Sequence, residues 1–164
     1  MTRKRAAIAL LVVAAAWGAW YFFPTRTRQV KRRFKAVSSW MEKDGPESRL
    51  VTAAKATKAP DFFAPECRWE AEAYHLSGKF TPNDLERYVF AGRDRLKTLH
   101  IRFYDLHVRF PGTRTARVIA TVRIEGSDSD GDSLNDTHEI RCVLQKINGK
   151  WLFADVTVVQ VLKR

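Results

Sequence analysis

Five acidic side chains in the stretch GSDSDGDSLNDTHE, residues 126–139, fall at a spacing that a hard cation would use. With Asp128 as position one, Asp130, Asp132, Asp136 and Glu139 take positions three, five, nine and twelve. Calcium loops of the EF-hand kind put oxygen ligands at those positions, because Ca2+ needs about six to eight oxygens around it. Three features argue for an acidic turn instead. Position six is Ser133 where the calcium loop has Gly, no helix flanks the stretch, and Glu139 begins an alternating segment. The expectation is a hairpin connection of about a dozen residues, with a weak calcium site (~10⁻⁴–10⁻³ M) as the alternative and no other cofactor.

Acid–base chemistry has two candidate centres. Asp155 stands in phase with Trp151, Phe153, Thr157 and Val159. A carboxylate enclosed in a cavity has its pKa raised by desolvation and serves as a base. The competing placement is the open face of a sheet, paired with an arginine such as Arg141. His107 lies in phase with Ile101 and Phe103, beside Tyr104 and Asp105. The other histidines, His75, His100 and His138, are scattered, and no CxxC or Cys/His cluster suggests zinc. Cys67 and Cys142 form either one disulfide or two small buried thiols. Glu70 and Glu72 share a strand face, where cross-strand charge pairs explain them. There is no phosphate-binding glycine loop and no nucleophile elbow.

These residues depend on the elements that carry them. RTRQVKRRFKAVSSWMEKDG reads as a helix with an apolar stripe of Val30, Phe34, Val37 and Met41, ended by Gly45 and Pro46. PESRLVTAAKATKA reads as a shorter helix with Leu50, Ala53, Ala54 and Thr57 on one side. PDFFAPE is a loop whose Phe62 and Phe63 plug the space between helices and sheet. CRWEAEAYHL alternates as a strand. TPNDLERYVFAGRDRL is a helix with Thr81 as N-cap, Pro82 in the first position, Asp84 in a capping box, and an apolar face of Leu85, Tyr88 and Val89. Four strands complete the chain. The first, LHIRFYDLHVRF, shifts its alternation near Tyr104–Asp105, which predicts a bulge. The last two join through Asn148-Gly149, a type I′ turn.

Helix, helix, strand, helix and a four-stranded meander define an α+β domain: a curved, mainly antiparallel sheet packed against three helices. This order, with the helices VKRRFKAVSSWMEKDG and TPNDLERYVFAG and the closing hairpin IRCVLQKINGKWLFADVTVVQVL, resembles the nuclear transport factor two-like superfamily, which includes SnoaL-like proteins and ketosteroid isomerase. The resemblance covers roughly residues 26–164. It implies a cone-shaped domain with an internal pocket, for which Trp69, Tyr88, Phe103, Trp151 and Phe153 are the expected lining. Catalytic members use an Asp, His or Tyr there; Asp155, His107, Asp105 and Tyr104 are the candidates. Homodimers through the sheet are common in such families.

The net charge of +11 is lopsided. Basic residues cluster at Arg3, Lys4 and Arg5, then at Arg26, Arg28, Lys31, Arg32, Arg33 and Lys35, with no acid among residues 1–35. From residue 36 onward the net charge is only +2, which argues against nucleic-acid binding. Between the clusters runs AAIALLVVAAAWGAWYFF, residues 6–23, uncharged and ending in aromatics. The expected layout is a short basic tail (1–5), a single-pass transmembrane helix (6–23) and the domain (24–164). A cleaved signal peptide is the alternative. The expected location is a bacterial-type inner membrane with the domain on the periplasmic side, although six basic residues after the span oppose that orientation. The basic flank would then lie near anionic headgroups. Anchored domains of this architecture resemble the scaffold subunits of type IV secretion systems and Mce-associated membrane proteins. The functional expectation is therefore a non-catalytic module of the cell envelope that contacts protein partners or a small apolar ligand. The alternative is a tethered isomerase or dehydratase.

Overall fold

The computed structural model of the chain describes residues 25–72 and 75–159. The tail and apolar run of residues 1–23 lie outside the described residues, within which no helix is long and apolar enough to cross a membrane. The elements are α1 (Arg26–Met41), α2 (Arg49–Ala56), a 3-10 turn (Ala59–Asp61), β1 (Phe63–Ala71), β2 (Leu76–Phe80), α3 (Pro82–Arg95), β3 (Leu96–Arg109), β4 (Thr115–Asp128), β5 (Ser133–Ile147) and β6 (Lys150–Val159). The six strands form one sheet in the order β2-β1-β6-β5-β4-β3. Only β1 and β6 run parallel; the other neighbours are antiparallel. The α+β class is as expected, with β2 added. Three exposed residues in a row, Ser77, Gly78 (φ +145°) and Lys79, hide this strand from a reading of alternation, and pairing with β1 supplies its order.

Local signals set the helix starts. Thr81 and Asp84 exchange hydrogen bonds as a capping box behind Pro82. Bonds from Thr81, then from Arg87, hold the Asp84 carboxyl down at about 2. Along α1 the buried stripe is Val30, Phe34, Val37 and Trp40. Trp40, not Met41, completes it: its ring stacks on Phe62 at 4.7 Å and its Nε1 donates to the Lys55 carbonyl at 2.8 Å. The short helix α2 turns the opposite way from expectation. It buries Thr52 and Ala56, while Leu50 is 84% exposed. Tyr88, 54% exposed, likewise leaves the core and packs its ring against Phe80.

Two β-bulges decide which residues face the helices. Between Tyr104 and His107 the β3–β4 register slips, with Asp105 at φ +52°. Before the slip Ile101 and Phe103 pack on the core, with Leu99 buried in the same phase; after it Leu106, Val108 and Phe110 do. A second slip, between the Val143↔Asp155 and Leu144↔Phe153 pairs, leaves Ala154 unmatched. Trp151 and Phe153 point inward before it, Val156 and Val158 after it.

Close approach of backbones explains one glycine. A Cβ on Gly126 of β4 would sit 2.5 Å from the Thr98 carbonyl oxygen of β3. Gly126→Ala is therefore expected to force the two strands apart and to destabilise the domain by about 1–3 kcal/mol, read from urea unfolding at unchanged slope.

The helix ends are capped by each other's cations. Arg93 of α3 is 1% exposed. Its guanidinium donates to the Met41 and Glu42 carbonyls at 2.7 and 3.2 Å, at the C-terminus of α1. Lys43, just beyond α1 and 4% exposed, sends its ammonium to the Arg93 and Leu96 carbonyls at 2.7 and 2.6 Å, at the C-terminus of α3. Each cation meets the negative end of a helix dipole. Glu47 supplies the neutralising charge, accepting twice from Arg93 at 2.8 and 3.0 Å and once from Lys55. Burial alone would raise the Glu47 pKa, but these hydrogen bonds outweigh it and hold the carboxyl below its usual range.

Candidate functional site

The space between helices and sheet, where a cone pocket would lie, holds aromatic rings. Phe34 meets Phe153 edge-on at 5.0 Å, Phe63 lies 5.8 Å from Phe153 and 5.9 Å from Trp69, and Trp40 stacks on Phe62. Phe62 and Phe63 are the plugs expected of them, at 8% and 7% exposure. Trp151 and Phe153 belong to this core, and Trp69 packs partly buried against it. Trp151 also donates its Nε1 to Gln29 at 3.3 Å.

Asp155 and His107 lie on the other face of the sheet, and the bulges put them there. Asp155 is bound by Arg68 of β1, whose Nε and guanidinium nitrogen each approach Oδ2 at 2.7 Å. The expected inward phase with Trp151 and Phe153 is broken by the extra residue at Ala154. The ion pair foreseen as the alternative exists, with Arg68 and not Arg141 as partner; Arg141 pairs with Glu139. His107 is opposite Ile119 on the outer face and exposed, so the phase with Phe103 does not survive the first bulge. Asp105 and Tyr104 are exposed beside it. The four do not converge on one enclosed point.

The acidic stretch is shorter as a loop than expected. β4 runs through Asp128 and β5 starts at Ser133, so four residues make the turn. Asp128 Oδ1 accepts from the backbone N–H groups of Asp130 and Asp132 at 3.0 and 2.9 Å, closing an Asx-type turn at Gly131. Asp136 and Glu139 lie along β5, paired with Ile124 and Thr121. From Ser133 to Glu139 the strand rises about 20 Å at ~3.3 Å per residue. The five carboxylates therefore do not wrap one centre. Among the described residues, metal-type ligand atoms come together at Glu42, Asp44 and His100, within 4.8 Å of one another beside the Lys43–Leu99 bridge. Its acidic members are exposed.

Cys67 and Cys142 are free and buried. They stand on β1 and β5, with β6 between, two strand spacings of ~4.8 Å apart, beyond the reach of a disulfide without backbone movement. Burial pushes the Cys67 thiol up to about 12 and raises Cys142 as well. Alkylation by iodoacetamide at pH 8 is expected to be slow in the folded protein and to recover the free-thiol rate in urea.

A half-open recess of about 340 Å3 lies between α1 and the edge strand β3. Lys31, Phe34, Lys35 and Ser38 line it from the helix, and Arg102, Phe103, Tyr104 and Leu106 from the strand. Phe34 and Phe103 touch edge-on at 5.1 Å. Of the five residues expected to line a pocket, Phe103 is the one that does so here. Lys31 and Lys35 read in the sequence as part of a basic cluster only; their i, i+4 spacing, which puts both on one face of α1, was the available signal.

No family model matches the chain, and no curated protein matches it. Solved structures do. A protein assigned as a scytalone dehydratase from Novosphingobium aromaticivorans superposes with TM-score 0.68 at 10% identity, covering 83% of this chain and 84% of that one. A protein of Kribbella flavida gives 0.69 at 12% identity over 82% and 90%. A hexachlorocyclohexane dehydrochlorinase gives 0.62 at 10% identity over 80% and 82%.

Proposed function

We infer that the fold shared with these structures is the SnoaL or nuclear transport factor two-like one expected from the element order. We propose that the domain is a non-catalytic binding module of the cell envelope, held at a bacterial-type inner membrane by residues 6–23 and placed on the periplasmic side. The observation that carries the non-catalytic reading is the filled interior. Where an enzyme of this shape needs a wide cavity with an enclosed base, the chain has Phe34, Phe62, Phe63 and Phe153 packed with Trp40 in ring contact, while Asp155 is engaged by Arg68 outside. The basic flank of α1 supports membrane proximity.

A base acting next to a carbonyl exchanges α-protons with solvent. Cyclohexanone in D2O with the full chain is expected to take up deuterium at the background rate, and equally so with Asp155→Asn or His107→Ala. Exchange about 10²-fold or more above background, lost in either variant, would establish the enzyme instead. For the anchor, the full chain is expected in the carbonate-resistant membrane pellet and residues 25–164 in the supernatant. An export-dependent reporter fused after Arg164 is expected to be active.

A further inference from the structure

The recess between α1 and β3 gathers three basic side chains beside apolar ones. Elsewhere several basic side chains of the sheet are neutralised, Arg68 with Asp155, Lys79 with Glu66, Arg123 with Glu125 and Arg141 with Glu139, whereas Arg109 and Arg117, opposite each other on β3 and β4, have no carboxylate within 4 Å among the described residues. Among the described residues, Lys31, Lys35 and Arg102 have no carboxylate within 4 Å. Helix α1 contains no acidic residue at all. Arg102 also faces Arg123 directly across the strands, and Arg123 is already taken by Glu125. Like charges so placed destabilise a sheet unless an anion joins them. Between these cations the lining is mostly apolar, Phe34, Phe103 and Leu106, with hydroxyl-bearing Ser38 and Tyr104.

We infer that this recess binds a small organic carboxylate with a flat apolar body. The three cations favour the anion; Phe103, Leu106 and the exposed Tyr104 favour the rings, with the buried ring of Phe34 beneath them. A monoanion fits better than a phosphate, because Phe34, Phe103 and Leu106 offer nothing to the remaining faces of a multiply charged group. A volume of about 340 Å3 is at the lower end of small-molecule sites and admits one such ligand. A lipid surface or an acidic protein would use the lysines without needing the concavity. The site lies at the sheet edge, at the rim of the aromatic-filled interior to which Phe34 belongs.

The test is calorimetric titration of the full chain in neutral detergent with 2-naphthoate, and with 2-naphthamide as the uncharged control. The naphthoate is expected to bind with a Kd of about 0.1–1 mM, and the amide at least about tenfold more weakly. The Lys31→Glu/Lys35→Glu variant, on an exposed helix face, is expected to lose binding by more than about tenfold; Lys31→Gln/Lys35→Gln serves if the charge reversal fails to fold. Ser38→Trp, which fills the recess and keeps the cations, is expected to abolish naphthoate binding. Equal binding of acid and amide, or naphthoate binding that survives Ser38→Trp, overturns the assignment. So does heat only from a glutamate decapeptide or from phosphatidylcholine vesicles containing phosphatidylglycerol, titrated in parallel. The inference rests on the domain being a binder. If naphthoate does not bind and deuterium exchange stays at background, this ligand assignment fails alone.

Discussion

Arg93→Met is expected to lower the unfolding free energy by about 3–5 kcal/mol, the cost of breaking a buried ion pair from one side. The guanidinium is almost wholly enclosed and bonds both the Glu47 carboxylate and carbonyls at the end of α1. Its loss leaves Glu47 facing Lys55 alone and strips the helix terminus of its donors. Glu47→Leu in the same chain removes the stranded carboxylate, so the double variant is expected to lose less than the sum of the single losses. The pH dependence gives a second check. The folded Glu47 pKa is lowered, so its contribution is present above the ordinary glutamate value of 4.5 and is lost as pH falls through the folded value. Urea unfolding of the parent is expected to show that decline on acidification, and Arg93→Met to flatten it.

Phe34→Ala is expected to cost about 3–5 kcal/mol by the same measurement. The ring is 1% exposed and edge-on to both Phe103 and Phe153, which lie on β3 and β6. It is the contact by which one helix holds two separated strands, and neither backbone is free to close the void. Phe34→Leu keeps much of the volume and is expected to lose less. A domain of this kind has a margin of about 5–15 kcal/mol, so Phe34→Ala combined with Arg93→Met is expected not to fold.

The fold was legible because its signals are local and mutually consistent: the Thr81 box, the Asn148-Gly149 turn, the α1 stripe and the clean alternation of Ala116, Val118, Ala120 and Val122. The site was not, because strand phase is not conserved through a bulge. The shift near Tyr104 was visible in the sequence, yet its consequence for His107 emerges only when the phase is carried past it. The Ala154 bulge leaves no trace, since Leu152 and Phe153 are both apolar and both buried. The buried cations were hidden differently. Arg93 continues the stripe of Leu85 and Val89 at i, i+4, i+8, but a basic residue there ordinarily marks the edge of an apolar face. Its burial depends on carbonyls supplied by a distant helix end. The acidic stretch was read as loop from its Asp and Ser content, whereas pairing with β4 extends it as strand.

The two outer strands have unequal defences against an intruding strand from another molecule. β2 offers only five residues, and Lys79 is among them. β3 is fourteen residues long; Lys43 occupies its edge at Leu99, and the kink at Asp105 interrupts the remainder of that edge. A strand approaching past Leu99 must lose register within a few residues and must bring negative charge to meet Arg102 and Lys35. Growth of the sheet into fibrils is thus resisted by shortness on one side and by a broken, cationic template on the other.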